Sequence, residues 1–233
     1  MSPTFIHGRD AVVYQDGNDL TGYLRSLSNS AAVETAESTT FADDDKAYIV
    51  GLTDATISAE GLFDSTFDGN INSITGSGTQ SVWSIYPAGD AAGSAGRGYS
   101  LDITSAERTA DIGDVVMVSV EGQSSVGSER VISQHALAQR TASGTASVVD
   151  NAASSATGGY GYAHATAASG TVAIKVQHSA DNVTYADLLT FTALTAAGGQ
   201  RGAVTGTVNR YTRLVYTATA GTATFVVGFG RNN

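Results

Sequence analysis

Three consecutive carboxylates, Asp43-Asp44-Asp45, are the densest group of potential ligands in the chain and pose the question of a divalent cation. Calcium gathers about six to eight oxygens from a turn with fixed ligand offsets and a glycine at the bend. No such spacing follows Asp45, and three successive side chains of an extended backbone cannot all point at one ion. A solvated or inter-subunit loop is the reading these residues favour. The four histidines, His7, His135, His164 and His178, are scattered without the H-E-x-x-H spacing of a zinc site. His164 and His178 are expected on neighbouring strands, where ordinary hydrogen bonding accounts for a histidine better than metal ligation does. Serine is abundant, but no G-x-S-x-G elbow frames a nucleophile. The glycine-rich pieces at 76–78 and 93–98 lack the Lys-Ser/Thr of a phosphate-binding loop and read as turns. The chain has no Cys, which removes thiolate chemistry and disulfides. No spacing singles out an acid/base couple. The residues therefore point away from an enzyme and imply no cofactor and no metal. One aromatic group remains. Tyr160, Tyr162, Tyr185, Tyr211 and Tyr216 could stack on sugar rings, but tyrosine also suits half-buried strands, and that is the favoured reading.

The elements that must carry these residues are short strands. Ala11–Tyr14, Val33–Thr40, Val82–Tyr86 and Glu129–His135 read as strands. Over Ala55–Leu62, Ala55, Ile57 and Ala59 share one face, with Thr56, Ser58 and Glu60 on the other. Tyr99, Leu101 and Ile103 alternate in the same way, and Val115–Val120 is apolar on both faces, as a covered central strand would be. One segment breaks the period. Ser65-Thr-Phe-Asp68 matches a capping box, Phe67, Ile71 and Ile74 form one apolar stripe, and Gly76 offers a stop. A helix is predicted from Ser65 to Ile74, weakened by Gly69. Thr141–Gly159 is nearly all small residues and reads as a linker, with Val148 and Val149 starting the region beyond it. After it come strands at 172–176, Tyr185–Phe191, Arg201–Gly206, Tyr211–Thr217 and Thr222–Phe229, with a turn at Ser179–Asn182. Strands and turns at this regular spacing indicate an Ig-like or jelly-roll sandwich.

Composition agrees with a mainly β protein, with 27 glycines and two prolines in 233 residues. No run of about 18 apolar residues occurs, and MSPTFIHGRD has no signal-peptide pattern, so a soluble protein made and used in a cytoplasm is expected. The net charge of −10 is uneven. Residues 1–140 hold 7 Lys+Arg against 19 Asp+Glu, and residues 141–233 hold 5 against 3. The change predicts two domains, 1–141 and 142–233. The acidic part argues against adhesion to DNA, which needs cationic contacts to phosphate.

Asp19-Leu20-Thr21, Thr39-Thr40-Phe41, Gly51-Leu52-Thr53-Asp54 and the stretch Ser58–Asp64 follow one another ahead of the helix. Their order resembles the tail tube (major tail) proteins of long-tailed, siphovirus-type bacteriophages. The segments QHSADNVTYADL and VNRYTRL are similar to a C-terminal β-sandwich that some of those proteins carry outside the tube. The resemblance implies a tube-forming antiparallel β-sandwich with one short helix over 1–141 and an exterior sandwich over 142–233. It implies hexameric rings of this chain, stacked into a virion tail assembled in the host cytoplasm. The tape measure protein and double-stranded DNA would pass through it without specific binding. Tail terminator and baseplate or tail-tip proteins would be further partners. The loop Phe41–Thr53 would join rings or subunits through Phe41, Asp43, Asp44, Asp45, Lys46, Tyr48 and Ile49. Glu34, Glu37 and Glu60 would face the lumen, where carboxylates repel phosphate. The alternatives are a carbohydrate- or surface-binding module using the tyrosines, or another virion component such as a head decoration or tail terminator protein.

Overall fold

The computed structural model describes residues 6–41 and 44–232, so Asp43 lies outside the described residues. The chain is mainly β, its strand ladders are antiparallel, and the described residues contain one α-helix. In chain order the first elements are β1 (Val12–Gln15), β2 (Asn18–Asp19), β3 (Leu24–Glu37) and β4 (Tyr48–Leu62), followed by α1 (Ser65–Ile74). Next come β5 (Ser81–Tyr86), β6 (Ala95–Thr109), β7 (Met117–Ser124), β8 (Glu129–Arg140), β9 (Gly144–Thr145) and β10 (Val149–Asp150). The last four are β11 (Gly159–Ser179), β12 (Ala186–Thr190), β13 (Gly198–Val204) and β14 (Tyr211–Arg231). They form two compact units. The first comprises Met1–Gly22, Ser81–Tyr99 and Glu129–Asn233; the second comprises Tyr23–Gln80 and Ser100–Ser128. The sequence-based boundary at 141/142 falls inside the first unit, because β8 pairs with β14 from Ile132↔Phe229 to Arg140↔Ala223.

The first unit is built on β11 and β14, 21 residues each, which pair from Gly159↔Arg231 to Ser179↔Tyr211. The separate strands read at 211–217 and 222–229 are thus one. Gly170 and Gly221 face each other at its middle with φ of 81° and 100°. A Cβ on Gly221 would lie 1.7 Å from the Ser169 carbonyl oxygen, so only glycine lets both backbones bend there without parting. Val172, Ile174 and Val176 of β11 pack with Phe225, Val227 and Phe229 of β14 over Phe191 and Leu214, the alternation read from the sequence. The small-residue stretch 141–159 is laid onto this framework by its backbone. Thr145 pairs with Val215, Val149 pairs with Thr212, and the Ala146 N–H donates to the Leu214 carbonyl at 2.8 Å. Val149 is buried and Val148 is exposed.

In the second unit the strand order is β3-β4-β7 and then the C-terminal half of β6. Ala55, Ile57 and Ala59 are buried and Thr56, Ser58 and Glu60 are exposed, as their alternation predicts. Leu101, Ile103, Val118 and Val120 complete the buried face. The stretch 115–120 is apolar on both faces in sequence, but it is not a covered central strand. Val115 and Val116 precede β7 and are exposed, and only Val118 and Val120 point inward. The helix occupies the predicted residues, with Phe67 and Ile71 buried. Its cap differs: Asp64, not Ser65, is the N-cap and accepts from the N–H groups of Thr66 (2.9 Å) and Phe67 (3.1 Å). Asp68 is thereby free of capping and pairs with Arg108 on β6 at 2.6 Å, tying the helix to the sheet.

Candidate assembly surface

The second unit presents a sheet face rich in polar and acidic residues. Antiparallel partners share a face, so the register places Ser26, Ser28 and Ser30 of β3 beside Glu60, Ser58 and Thr56 of β4. The same rows continue into Ser119, Glu121 and Gln123 of β7 and into Glu107, Ser105 and Asp102 of β6. Counting outward by the strand period adds Asp54 on β4 and Glu34 on β3. Six carboxylates therefore share this face: Glu34, Asp54, Glu60, Asp102, Glu107 and Glu121. None of these register positions holds Lys or Arg. Of the three glutamates expected together from the sequence, Glu34 and Glu60 share the face. Glu37 falls on the opposite one and forms an ion pair with Lys46 at 3.2 Å. Asp54, Asp102, Glu107 and Glu121 were missed. The signal was present, since each sits at a polar step of an alternating strand.

Beyond this face the sheet narrows to a two-stranded arm. β7 pairs with β4 only from Thr56 to Leu62, while β4 pairs with β3 out to Tyr48↔Glu37. Among the described residues β3 pairs with no other strand, which leaves a 14-residue edge with its N–H and C=O groups turned outward. Such an edge is a template for another strand. The arm is apolar as well as open. Tyr48, Ile49, Val50 and Leu52 are 55, 62, 71 and 79 % exposed, and Val33 and Phe41 are exposed with them. Half of the stretch read as a loop, Tyr48–Thr53, is therefore strand. Between the strand ends at Glu37 and Tyr48, the Ser38 N–H donates to the Ala47 carbonyl at 2.8 Å. Phe41, Asp44 and Asp45 lie exposed beyond that hydrogen bond. At the arm's base the Gln123 amide donates to the Asp54 carboxylate at 3.1 Å. An isolated two-stranded ribbon is marginal in water, and this one leaves its large side chains uncovered.

The first unit spends its polar residues on its own interior. His135 stacks on Phe225, donates from Nδ1 to the Phe225 carbonyl at 3.2 Å and accepts from Arg140 Nε at 2.8 Å. Burial, then the Arg140 charge, pushes its pKa down to about 4. His164 is fully buried against Tyr14, bonds Ser84 Oγ at 2.9 Å, and is pushed down to about 3 by burial. His164 and His178 lie on the same strand, β11, and do not meet; His178 accepts from the Asn209 N–H. Among the described residues no group of three or more His, Asp or Glu is placed to hold a metal. The five tyrosines do not share a platform. Tyr162 is buried and donates to Glu129, whose carboxylate also holds Arg201. Tyr216 is buried against His135 and Phe225, while Arg213 covers the ring of Tyr185 and Arg210 that of Tyr211. The motif Gln15-Asp16-Gly17-Asn18 also went unread. It is a two-residue hairpin with Asp16 and Gly17 both at positive φ, the turn that Asp-Gly favours. Asp16 then accepts from the Val82 N–H at 2.7 Å and from Ser81 Oγ at 2.5 Å, and burial raises its pKa against those bonds.

No protein-family model and no curated protein matches the chain. Solved structures resemble it at low identity. A chain of the tail of an empty gene transfer agent (GTA) particle with C6 symmetry is 19% identical, covering 51% of this chain and 93% of that one at a TM-score of 0.42. The SPP1 Dit (gp 19.1) protein, described as a paradigm of the hub adsorption apparatus in phages infecting Gram-positive hosts, is 12% identical. That match covers 96% of this chain and 99% of the other, at a TM-score of 0.39. A chain of the sheath–tube complex of an extracellular contractile injection system, PVC, in its extended state is 17% identical, covering 51% and 86% at 0.41. Likenesses at this level leave the functional reading to the chain's own geometry. No helix among the described residues is long and apolar enough to cross a membrane.

Proposed function

We propose that the chain is a structural component of a phage-type virion tail that assembles with copies of itself into stacked hexameric rings forming a tube. The observation that carries this reading is the sheet of the second unit, acidic on one face and ending in an unpaired edge and an uncovered apolar arm. A neighbouring copy would satisfy the edge of β3 and cover Tyr48, Ile49, Val50 and Leu52. The six-carboxylate face would line the lumen. Fixed negative charge without cations keeps a phosphate backbone from adhering, so double-stranded DNA and a tape measure protein pass without specific binding. Residues 142–233 would lie on the exterior of the tube. Tail terminator and baseplate or tail-tip proteins would close its ends, and assembly would take place in the host cytoplasm. The resemblance of residues 1–140 to tail tube proteins supports the same reading.

The test is electron microscopy of the purified chain beside a variant whose residues 39–46 are replaced by Asn-Gly, which shortens the arm's turn between two hydrogen-bonded positions. The native chain is expected to form stacked rings or tubes. The variant is expected to stay dispersed with an unchanged β-type circular dichroism spectrum. A native chain that stays monomeric at high concentration, or a folded variant that still builds normal tubes, overturns the proposal.

A further inference from the structure

Within the first unit a cavity of about 520 Å³ opens between β8, β10 and the ends of β11 and β14. Its size is that of a site for a small organic molecule, and Val149 and Phe229 supply apolar wall. Its charges are unbalanced. Arg130 lines it and makes no ion pair among the described residues. Arg231 lines it too, but donates to the carbonyls of Asn151 (3.0 Å) and Ala153, which orient a guanidinium without cancelling its charge. The only acidic side chain in the lining, Asp150, is already taken. Arg210 clamps both its oxygens at 2.7 and 2.6 Å. Beside the cavity a second anomaly points the same way. Arg97 on β6 is the register partner of Arg130 on β8, and Arg97 likewise has no ion pair among the described residues. Like charges placed directly opposite across a ladder repel. Tyr160 completes the lining. Its ring rests against Gly230, where a Cβ would lie 2.7 Å from it, so the glycine keeps the aromatic at the cavity wall.

We infer that this cavity binds an oxyanion, a phosphate or carboxylate, carried on a small organic body such as a sugar ring. The anion is held by Arg130 with Arg97 and Arg231 beside it, and the body lies against Tyr160 and the apolar wall. Arginine's planar fork suits both oxyanions, and an anion there relieves the repulsion between Arg97 and Arg130. Nothing in this site depends on self-assembly, so it stands or falls apart from the tube reading.

Thermal unfolding of the full chain tests it, with glucose 6-phosphate, glucuronate, glucose and inorganic phosphate compared against sodium chloride of equal ionic strength. Stabilisation by glucose 6-phosphate, glucuronate or both, exceeding that by glucose and by phosphate alone, is expected, and whichever responds identifies the oxyanion. Arg130→Gln should weaken the response about tenfold or more, as loss of a charge-assisted hydrogen bond does. Arg97→Gln should weaken it less, and serves as the second variant if Arg130→Gln fails to fold. Arg213→Gln, which removes a guanidinium from over Tyr185 instead, should leave it unchanged. No stabilisation beyond the salt control, equal stabilisation by glucose, or an undiminished response in folded Arg130→Gln overturns the assignment.

Discussion

The two units divide the chain's charge and its exposure in opposite ways. The first holds nine basic and eight acidic side chains, net +1; the second holds three against fourteen, net −11. In the first, most carboxylates near a cation are matched, Glu129 with Arg201 and Tyr162, Asp150 with Arg210 and Asp187 with Lys175, and the unmatched charges include the arginines Arg97 and Arg130. In the second, two ion pairs are formed among the described residues, Lys46 with Glu37 and Arg108 with Asp68, and the other described carboxylates have none. One unit covers its strands and its large apolar side chains largely by itself, whereas the other leaves an edge, an apolar arm and an acidic face for something outside it. Stability and assembly should therefore respond to different residues, and a set of substitutions can break that division.

The largest loss of stability is expected in the core of the first unit. Phe225→Ala removes a fully buried ring from between His135 and Tyr216, and should lower the unfolding free energy in urea by about 3–5 kcal/mol. A change below about 1 kcal/mol would mean that this core collapses around the gap. Next comes Glu129→Gln, which leaves Arg201 and the Tyr162 hydroxyl facing a neutral partner in a nearly closed site. A loss of about 3 kcal/mol is expected for breaking such a pair on one side.

Acid should also act on the first unit. His135 and His164 have folded-state pKa values of about 4 and 3, below the ordinary imidazole value of 6.5, so protons bind the unfolded chain first. Their contribution is complete above pH 6.5 and is lost as pH falls towards those folded values. Two such groups together should remove about 1.5 kcal/mol between pH 7.5 and pH 6. Urea midpoints that do not move over that interval would show that both imidazoles protonate freely in the folded state.

This division was only partly legible in the sequence, because periodicity reports faces and not partners. The alternation from Ala55 to Leu62 and the stripe of Phe67 and Ile71 were enough to place the second unit's core. Asp64 and Ser65 are adjacent residues that both suit a helix cap, and pattern alone could not choose between them. Tyr211–Thr217 and Thr222–Phe229 read as two strands, since a glycine between them, Gly221, tolerates positive φ equally in a turn and in a bent pair of strands. The stretch 141–159 read as a linker because it is nearly all small residues; backbone hydrogen bonds hold it, and small side chains give no sign of those. The charge step near residue 140 was real, but it marked a unit assembled from 23–80 and 100–128, a discontinuity that no linear count can show. Within the candidate surface, Glu34 and Glu60 could be found from one hairpin. Glu121 and Asp102 join them only through the β4–β7 and β7–β6 registers.

A smaller effect is expected at the helix of the second unit. Asp64→Ala removes the side chain that satisfies two orphan N–H groups and should cost about 1 kcal/mol. Ser65→Ala should cost much less, which a pair of urea titrations can separate. Equal costs would return the cap to Ser65.

The smallest effect on stability should accompany the largest effect on assembly. Ile49 and Leu52 lie on the arm, exposed, on the part of β4 that pairs with β3 alone. Replacing both, Ile49→Asp with Leu52→Asp, removes apolar surface that the folded chain does not bury, so the unfolding free energy should stay within about 0.5 kcal/mol of native. The same two carboxylates would have to be desolvated when a neighbouring copy covers the arm, at a cost of several kcal/mol each. Sedimentation velocity should therefore show the variant as monomer at concentrations where the native chain sediments as rings or longer species. A variant that assembles like the native chain would show that the arm is not where copies meet. A variant that unfolds would show that the second unit already covers its arm from within, and the contrast between the two units would then be one of charge alone.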